Sequence, residues 1–343
     1  MSGNGRSPKH SPRSEGFCRN GEDTDEKKRN AQRSTYEPDR KSEQKTLPDE
    51  VEKLFNVAAP GEGQRINFRQ PPPPKIDSQR RLIIVRHAEL VDSVFPSWLK
   101  NSTQSGEFTR YNLNQPKSLP ERENEFEGFT NDSPITVIGH LCAELLAKSI
   151  LNSSYQICRV ISSPALGCIQ TAAEIIEHTG LKHVNLQIET GLHDWMGYYD
   201  EVPTWMTVKE LLEAGYKVSK EYKAVSSEAD KSKFRMENKG ELCRRTIRVL
   251  DELLRNLSGT ALLVTHAINI EVIVRILLKM RPVLRTEYDE MTSIHRAYPF
   301  CTAVVMNEDL KTREWRLERP LQSITFTGFS NKYDENYLLR DFS

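Results

Sequence analysis

Two histidines and an arginine in this chain directly follow aliphatic runs, and any chemistry is expected there first. Leu82-Ile83-Ile84-Val85 leads into Arg86-His87, and Ala261-Leu262-Leu263-Val264 leads into Thr265-His266. A third run, Ile157 with Val160-Ile161, leads into Ser162-Ser163-Pro164. A guanidinium holds an oxyanion through charge-assisted hydrogen bonds. A neutral imidazole can attack phosphorus if its other nitrogen is held and cations match the transferred charge. One histidine after a strand is ordinarily structural. Two of them at the ends of two buried strands, with an arginine beside one, predict an anion pocket.

The positioning elements follow from periodicity. Continuous aliphatic runs predict strands buried on both faces of a largely parallel sheet. Helical spacing lies between them: Ile138–Leu151 with Leu141, Leu145, Ala147 and Ile150 on one face, Ala165–Glu177 with Ile169, Ala172, Ala173 and Ile176, Leu242–Leu257 with Ile247, Leu250, Leu253 and Leu254, and Val272–Leu278. Alternating strands and helices predict an α/β fold, here a three-layer α/β/α sandwich with a mostly parallel central sheet. Ala303–Met306 and Trp315–Leu317 are expected as late edge strands. In such sheets ligands bind beyond the carboxyl ends of the strands, where helix N-termini add backbone donors. Val91–Asn131 has little periodicity, and so long an irregular stretch predicts a lid or a pocket wall.

Residues 1–79 are expected to be a disordered tail with a Pro-rich linker, and residues 80–343 the folded domain. Up to about Pro48 the chain has mixed charge and almost no aliphatic residues, too little apolar surface to offset chain entropy. Val51, Leu54, Phe55 and Val57 could form one helical turn or a docking motif, and Gln70-Pro71-Pro72-Pro73-Pro74-Lys75 favours an extended spacer. The formal net charge of zero gives no global attraction to nucleic acid or to an acidic membrane. No apolar run reaches the roughly 18 residues of a membrane span. The polar N-terminus predicts no secretory leader. Six scattered cysteines, none in a CxxC pair or at zinc spacing, predict reduced thiols in the cytoplasm or nucleus, with no metal and no cofactor. Cys168, at a helix start, is read as a small buried residue rather than a nucleophile.

The stretch Leu82–Glu89 resembles the Arg-His-Gly signature of the histidine phosphatase (phosphoglycerate mutase-like) superfamily. Pro134-Ile135-Thr136 with Gly139, Ser162–Leu166 with Gln170-Thr171-Ala172, and Val264–Ala267 resemble its later motifs. Arg110–Asn114, Leu119–Arg122, Gly191–Trp195 and Tyr298–Cys301 resemble the phosphatase domain of the Sts/TULA (ubiquitin-associated and SH3 domain-containing) proteins, although nothing here resembles their other domains. The resemblance implies His87 as the nucleophile that becomes a phosphohistidine, Arg86 and His266 as phosphate-binding groups, and Asp194 as the general acid in place of a glutamate. It allows a homodimer and implies a phosphate-containing ligand or phosphoprotein as partner.

Three departures qualify what is implied. Gly167 stands where the family has a second clamping arginine, Ala88 replaces the glycine after the nucleophile, and Leu90 replaces a further arginine. Losing one preorganised donor costs about 10²–10³ in rate. A Cβ at position 88 is unfavourable if the backbone there has positive φ. Arg110, Arg122 or Arg296 would have to swing in to compensate. These departures point to a pseudophosphatase or regulatory binding module. The alternative is a weak or narrow-specificity phosphomonoesterase or protein tyrosine phosphatase working through His87. On this reading, Gly167→Arg raises activity.

Overall fold

In the computed structural model, residues 79–227, 231–282 and 288–340 are described. The expected tail, the Val51–Val57 group and the proline run lie outside them. The central sheet has six strands: β1 (Arg81–Arg86), β2 (Ile157–Ser162), β3 (Leu186–Ile188), β4 (Thr260–Thr265), β5 (Ala303–Glu308) and β6 (Trp315–Leu317), in the order β3-β2-β4-β1-β5-β6. β1 to β4 run parallel to one another, whereas β5 is antiparallel to β1 and β6 to β5. The major helices are α1 (Val137–Asn152), α2 (Leu166–Thr179), α3 (Lys239–Arg255), α4 (Ala267–Leu277) and α5 (Tyr288–Ala297).

Successive residues of β1 enter different cores, as the pleat requires. Ile83 and Val85 pack in a cluster with Cys142, Leu146 and Ile150 of α1 and Ile169, Ala172 and Ile175 of α2. Leu82 and Ile84 pack on the opposite side with Val249, Leu250 and Leu253 of α3 and Ile268 and Val272 of α4. Both faces of the sheet are therefore covered, which makes the predicted three-layer phosphoglycerate mutase-like architecture.

Two expectations need correction. β5 is not an edge strand: it lies between β1 and β6, and all six of its residues are buried. Its aliphatic run is as continuous as that of β1, which is the pattern of an interior strand. In α1 the buried stripe runs through Gly139, Cys142, Ala143, Leu146, Ala147 and Ile150, while Leu141 is 51% exposed. The stripe is rotated by one residue because the small Cys142 and Ala143 let α1 lie close to the sheet and α2.

Residues 91–131 hold two short helices, Val91–Val94 and Trp98–Ser102, and pack on the main core through Trp98 and Phe129. A groove of about 580 Å³ runs along this stretch past Phe108, Leu119 and Phe126.

Candidate active site

Register brings the two histidines together. Arg86 on β1 stands opposite Thr265 on β4, so the next residues, His87 and His266, are neighbours. The His87 N–H donates to the Thr265 carbonyl at 3.0 Å, and the two rings lie 5.1 Å apart, edge to face. β2 delivers Ser163 by the same logic. Ser162 pairs with Val264, the Ser163 N–H reaches the Val264 carbonyl, and Ser163 Oγ lies 2.9 Å from His266 Nε2.

The tautomer of His87 follows from one contact. Its Nδ1 is 2.8 Å from the Ala88 carbonyl oxygen, which can only accept, so Nδ1 carries the proton and Nε2 presents a lone pair. Burial pushes the His87 pKa well below 6.5, and His266 and Arg86 push it further. His266, buried beside the same arginine, falls to about 3. Both rings are neutral at physiological pH, as an attacking nitrogen must be.

Arg86 is partly engaged by backbone. Its Nη1 donates to the carbonyls of His295 (3.0 Å) and Tyr298 (2.6 Å), and its guanidinium stacks 4.3 Å from the Phe300 ring centre. Its Nε is buried with no hydrogen-bond partner. A buried, unspent N–H on a cation is an available oxyanion donor. Burial lowers the Arg86 pKa to about 10, so it stays charged. The Tyr298–Cys301 turn thus forms one wall. The Cys301 N–H donates to the His87 carbonyl at 3.2 Å, with Cys301 itself at φ 56°.

Asp194 lies 3.5 Å from His266 Nδ1 through Oδ2, and its Oδ1 accepts the Trp195 N–H. Burial raises its pKa, which His295 and Arg86 oppose. A carboxyl whose protonated form is favoured suits a general acid. The loop carrying it is held by Arg245 of α3, which the sequence reading missed. Arg245 donates to the carbonyls of Gly191 (2.7 Å), His193 (3.0 Å) and Asp194 (3.2 Å) and pairs with Glu237. The signal was legible: position 245 is on the buried stripe of α3, between Leu242 and Val249. His193 points elsewhere, with its ring between Trp205 and Phe234.

The remaining side of the pocket is apolar. Leu90 forms an isolated bridge with Ile135, and its side chain lies over Gly167 in the first turn of α2. A Cβ added at Gly167 would overlap the Leu90 Cδ2 methyl. The space beside Gly167 is therefore occupied by the Leu90 side chain. Ala88 carries no strain. It is absent from the positive-φ residues, is fully buried, and donates its N–H to Thr171 Oγ1 at 2.9 Å. Arg122 is held away from the pocket by an ion pair with Asp132 and by the face of Phe129. Asp132 also accepts the Leu166 N–H at the start of α2 (2.7 Å). Arg296 is exposed on α5. Cys168 is fully buried with its pKa raised, which makes it a thiol rather than a nucleophile. His295 on α5, which the sequence reading also passed over, lies against Tyr198, ring to ring at 5.6 Å. The described residues contain no helix long and apolar enough to cross a membrane.

Comparison with known proteins bears on the family and the fold. Residues 120–296 match the family "Histidine phosphatase superfamily (branch 1)". The match begins after β1, so the position of Arg86-His87 rests on strand register. An ecdysteroid-phosphate phosphatase of Drosophila melanogaster is 32% identical over 246 residues, 70% of this chain and 32% of the relative. The ubiquitin-associated and SH3 domain-containing protein B of Mus musculus is 30% identical over 282 residues, 79% of this chain and 42% of the relative. The chain thus spans well under half of either relative's length. The crystal structure of the Bombyx mori ecdysone phosphate phosphatase in complex with tungstate superposes with a TM-score of 0.61 at 24% identity, covering 76% of this chain and 100% of that one. It shares the fold.

Proposed function

We propose, from the premise that this chain belongs to the histidine phosphatase superfamily, that its strand-end pocket binds a phosphate-like oxyanion but is impaired in turnover. The protein then acts as a pseudophosphatase-type binding or regulatory module. One observation carries the reading: the Leu90 side chain occupies the space above Gly167. The pocket is left with Arg86 as its fixed cation. A phosphoryl group in transfer spreads charge over three oxygens, and catalysis of that step is mostly electrostatic matching. With one guanidinium already sharing its N–H groups with two carbonyls, the ground-state anion can be held while the transition state is poorly served. The occupant on this reading is a phosphate-containing ligand or phosphoprotein in the cytoplasm, and a homodimer is compatible with it.

A second reading has its own support. The His87 Nε2 lone pair and the protonation-prone Asp194 are the pair that a weak phosphomonoesterase needs. Nε2 would attack phosphorus and the ester oxygen would leave with the Asp194 proton. Water would then release phosphate from the phosphohistidine. The deciding experiment is hydrolysis of p-nitrophenyl phosphate by wild type and His87→Ala. Equal, background-level rates support the binding module. Turnover that His87→Ala abolishes overturns it in favour of the enzyme.

A further inference from the structure

Three histidines lie around Arg86, and His295 is the least buried of them. His87 and His266 are 5% and 4% exposed and held neutral by burial. His295 is half-buried, on the last turn of α5. The carbonyl end of a helix favours a cation in that turn. Its own carbonyl accepts the Arg86 Nη1 bond, so its backbone is fixed to the pocket's cation. Its ring packs on Tyr198, four residues after Asp194.

We propose that His295 is the pocket's second cationic group, and that it becomes one only when an oxyanion occupies the space beside His87 and Arg86, taking its proton from bulk water. This rests on the anion-binding reading above. The electrostatics run in a defined order. In the empty pocket burial and Arg86 disfavour the imidazolium, while Asp194 favours it. An oxyanion drawn to Arg86 Nε cancels the repulsion from the guanidinium and adds attraction of its own, so binding and protonation reinforce each other. Tyr198, pushed to high pKa by burial and by Asp194, stays neutral throughout. On α4, Glu271 and Arg275 are paired with each other. Arg296, beside His295 on α5, faces solvent. The chain thereby recovers conditionally, from α5, part of the charge that positions 90 and 167 have lost.

The test is sulfate binding to the full chain by calorimetry between about pH 5 and 8, the window in which histidine titrates. Sulfate keeps its charge over this range, so any pH dependence belongs to the protein. Wild-type affinity is expected to rise as pH falls, approaching tenfold per unit where one proton is taken up per anion. His295→Gln should remove that slope, and His295→Lys should restore tight, pH-independent binding. A slope that survives in His295→Gln, or a flat wild type that still binds, overturns the inference and leaves the anion pocket standing. A wild type that binds no sulfate at any pH removes the anion pocket and this inference together.

Discussion

The two sides of the pocket have been treated differently. On the β1–β4–β5 side, Arg86, His87, His266 and Ser163 stand where strand register puts them, and their backbone bonds run to Thr265, Val264 and Thr302. On the other side, residues 88–90 meet the first turn of α2, and the contact is apolar: Leu90 on Gly167 and Ala88 in the core. A sheet ladder fixes the backbone positions from which Arg86, His87, His266 and Ser163 project. Positions 88–90 are set instead by packing against α2, where a side chain can be exchanged for another of similar volume at little cost to the fold.

The comparison breaks most visibly if the intact side is undermined from behind. Arg245→Met deletes the donor to three loop carbonyls and leaves Glu237 buried without its ion-pair partner. Removing one partner of a buried pair costs about 3–5 kcal/mol. Denaturant unfolding should show that loss, and the ordering of Asp194 should go with it. A cost near zero would mean that the Asp194 loop is positioned by something other than α3.

The apolar side is next. Gly167→Arg alone must push aside the Leu90 methyl, and overpacking of this kind costs about 1–3 kcal/mol. For the rise in activity expected from sequence, the Leu90 methyl has first to turn aside, because it stands where the new side chain must start. Leu90→Ala with Gly167→Arg should recover most of the stability and bind sulfate more tightly than either single variant. Purely additive effects on stability would show that the two positions do not share one space.

The histidines give an intermediate, pH-dependent effect. His87 and His266 are neutral in the fold, with pKa values below the ordinary 6.5. In the unfolded chain they protonate near that value, so the unfolded state binds more protons and stability falls as pH drops below about 6.5. The slope approaches about 1.4 kcal/mol per pH unit for each histidine. His87→Gln should make the decline shallower, as read by unfolding midpoints across the range. An unchanged slope would show that His87 is not held neutral.

Much of this was legible in the sequence, and the gaps have physical causes. Aliphatic runs identified the strands, and polar residues at their ends identified the site, because burial on two faces demands the first and the sheet's carboxyl edge supplies the second. β5 was mistaken for an edge because late position in the chain says nothing about position in a sheet. Arg245 and His295 were missed because each acts across a long sequence separation, from α3 onto the 191–194 loop and from α5 onto β1. The sequence singles out Gly167 and Leu90 separately, and only the packing shows that their side-chain spaces are shared.

The smallest expected effect concerns a hydroxyl that ties the segment after β1 to the first turn of α2. Thr171 Oγ1 accepts the Ala88 N–H at 2.9 Å and donates to the Gly167 carbonyl at 2.6 Å, so it bridges the segment after β1 and the start of α2. Thr171→Val keeps the shape and removes both bonds, leaving a buried N–H unpaired, at a cost of about 1 kcal/mol. Thr171→Ser keeps the hydroxyl and should retain more of the stability. If the contact at Leu90 and Gly167 alone held α2 against the segment after β1, the valine variant would match wild type in chemical denaturation. A measurable loss rescued by serine would show that this hydroxyl, and not the apolar contact alone, holds the segment after β1 against α2.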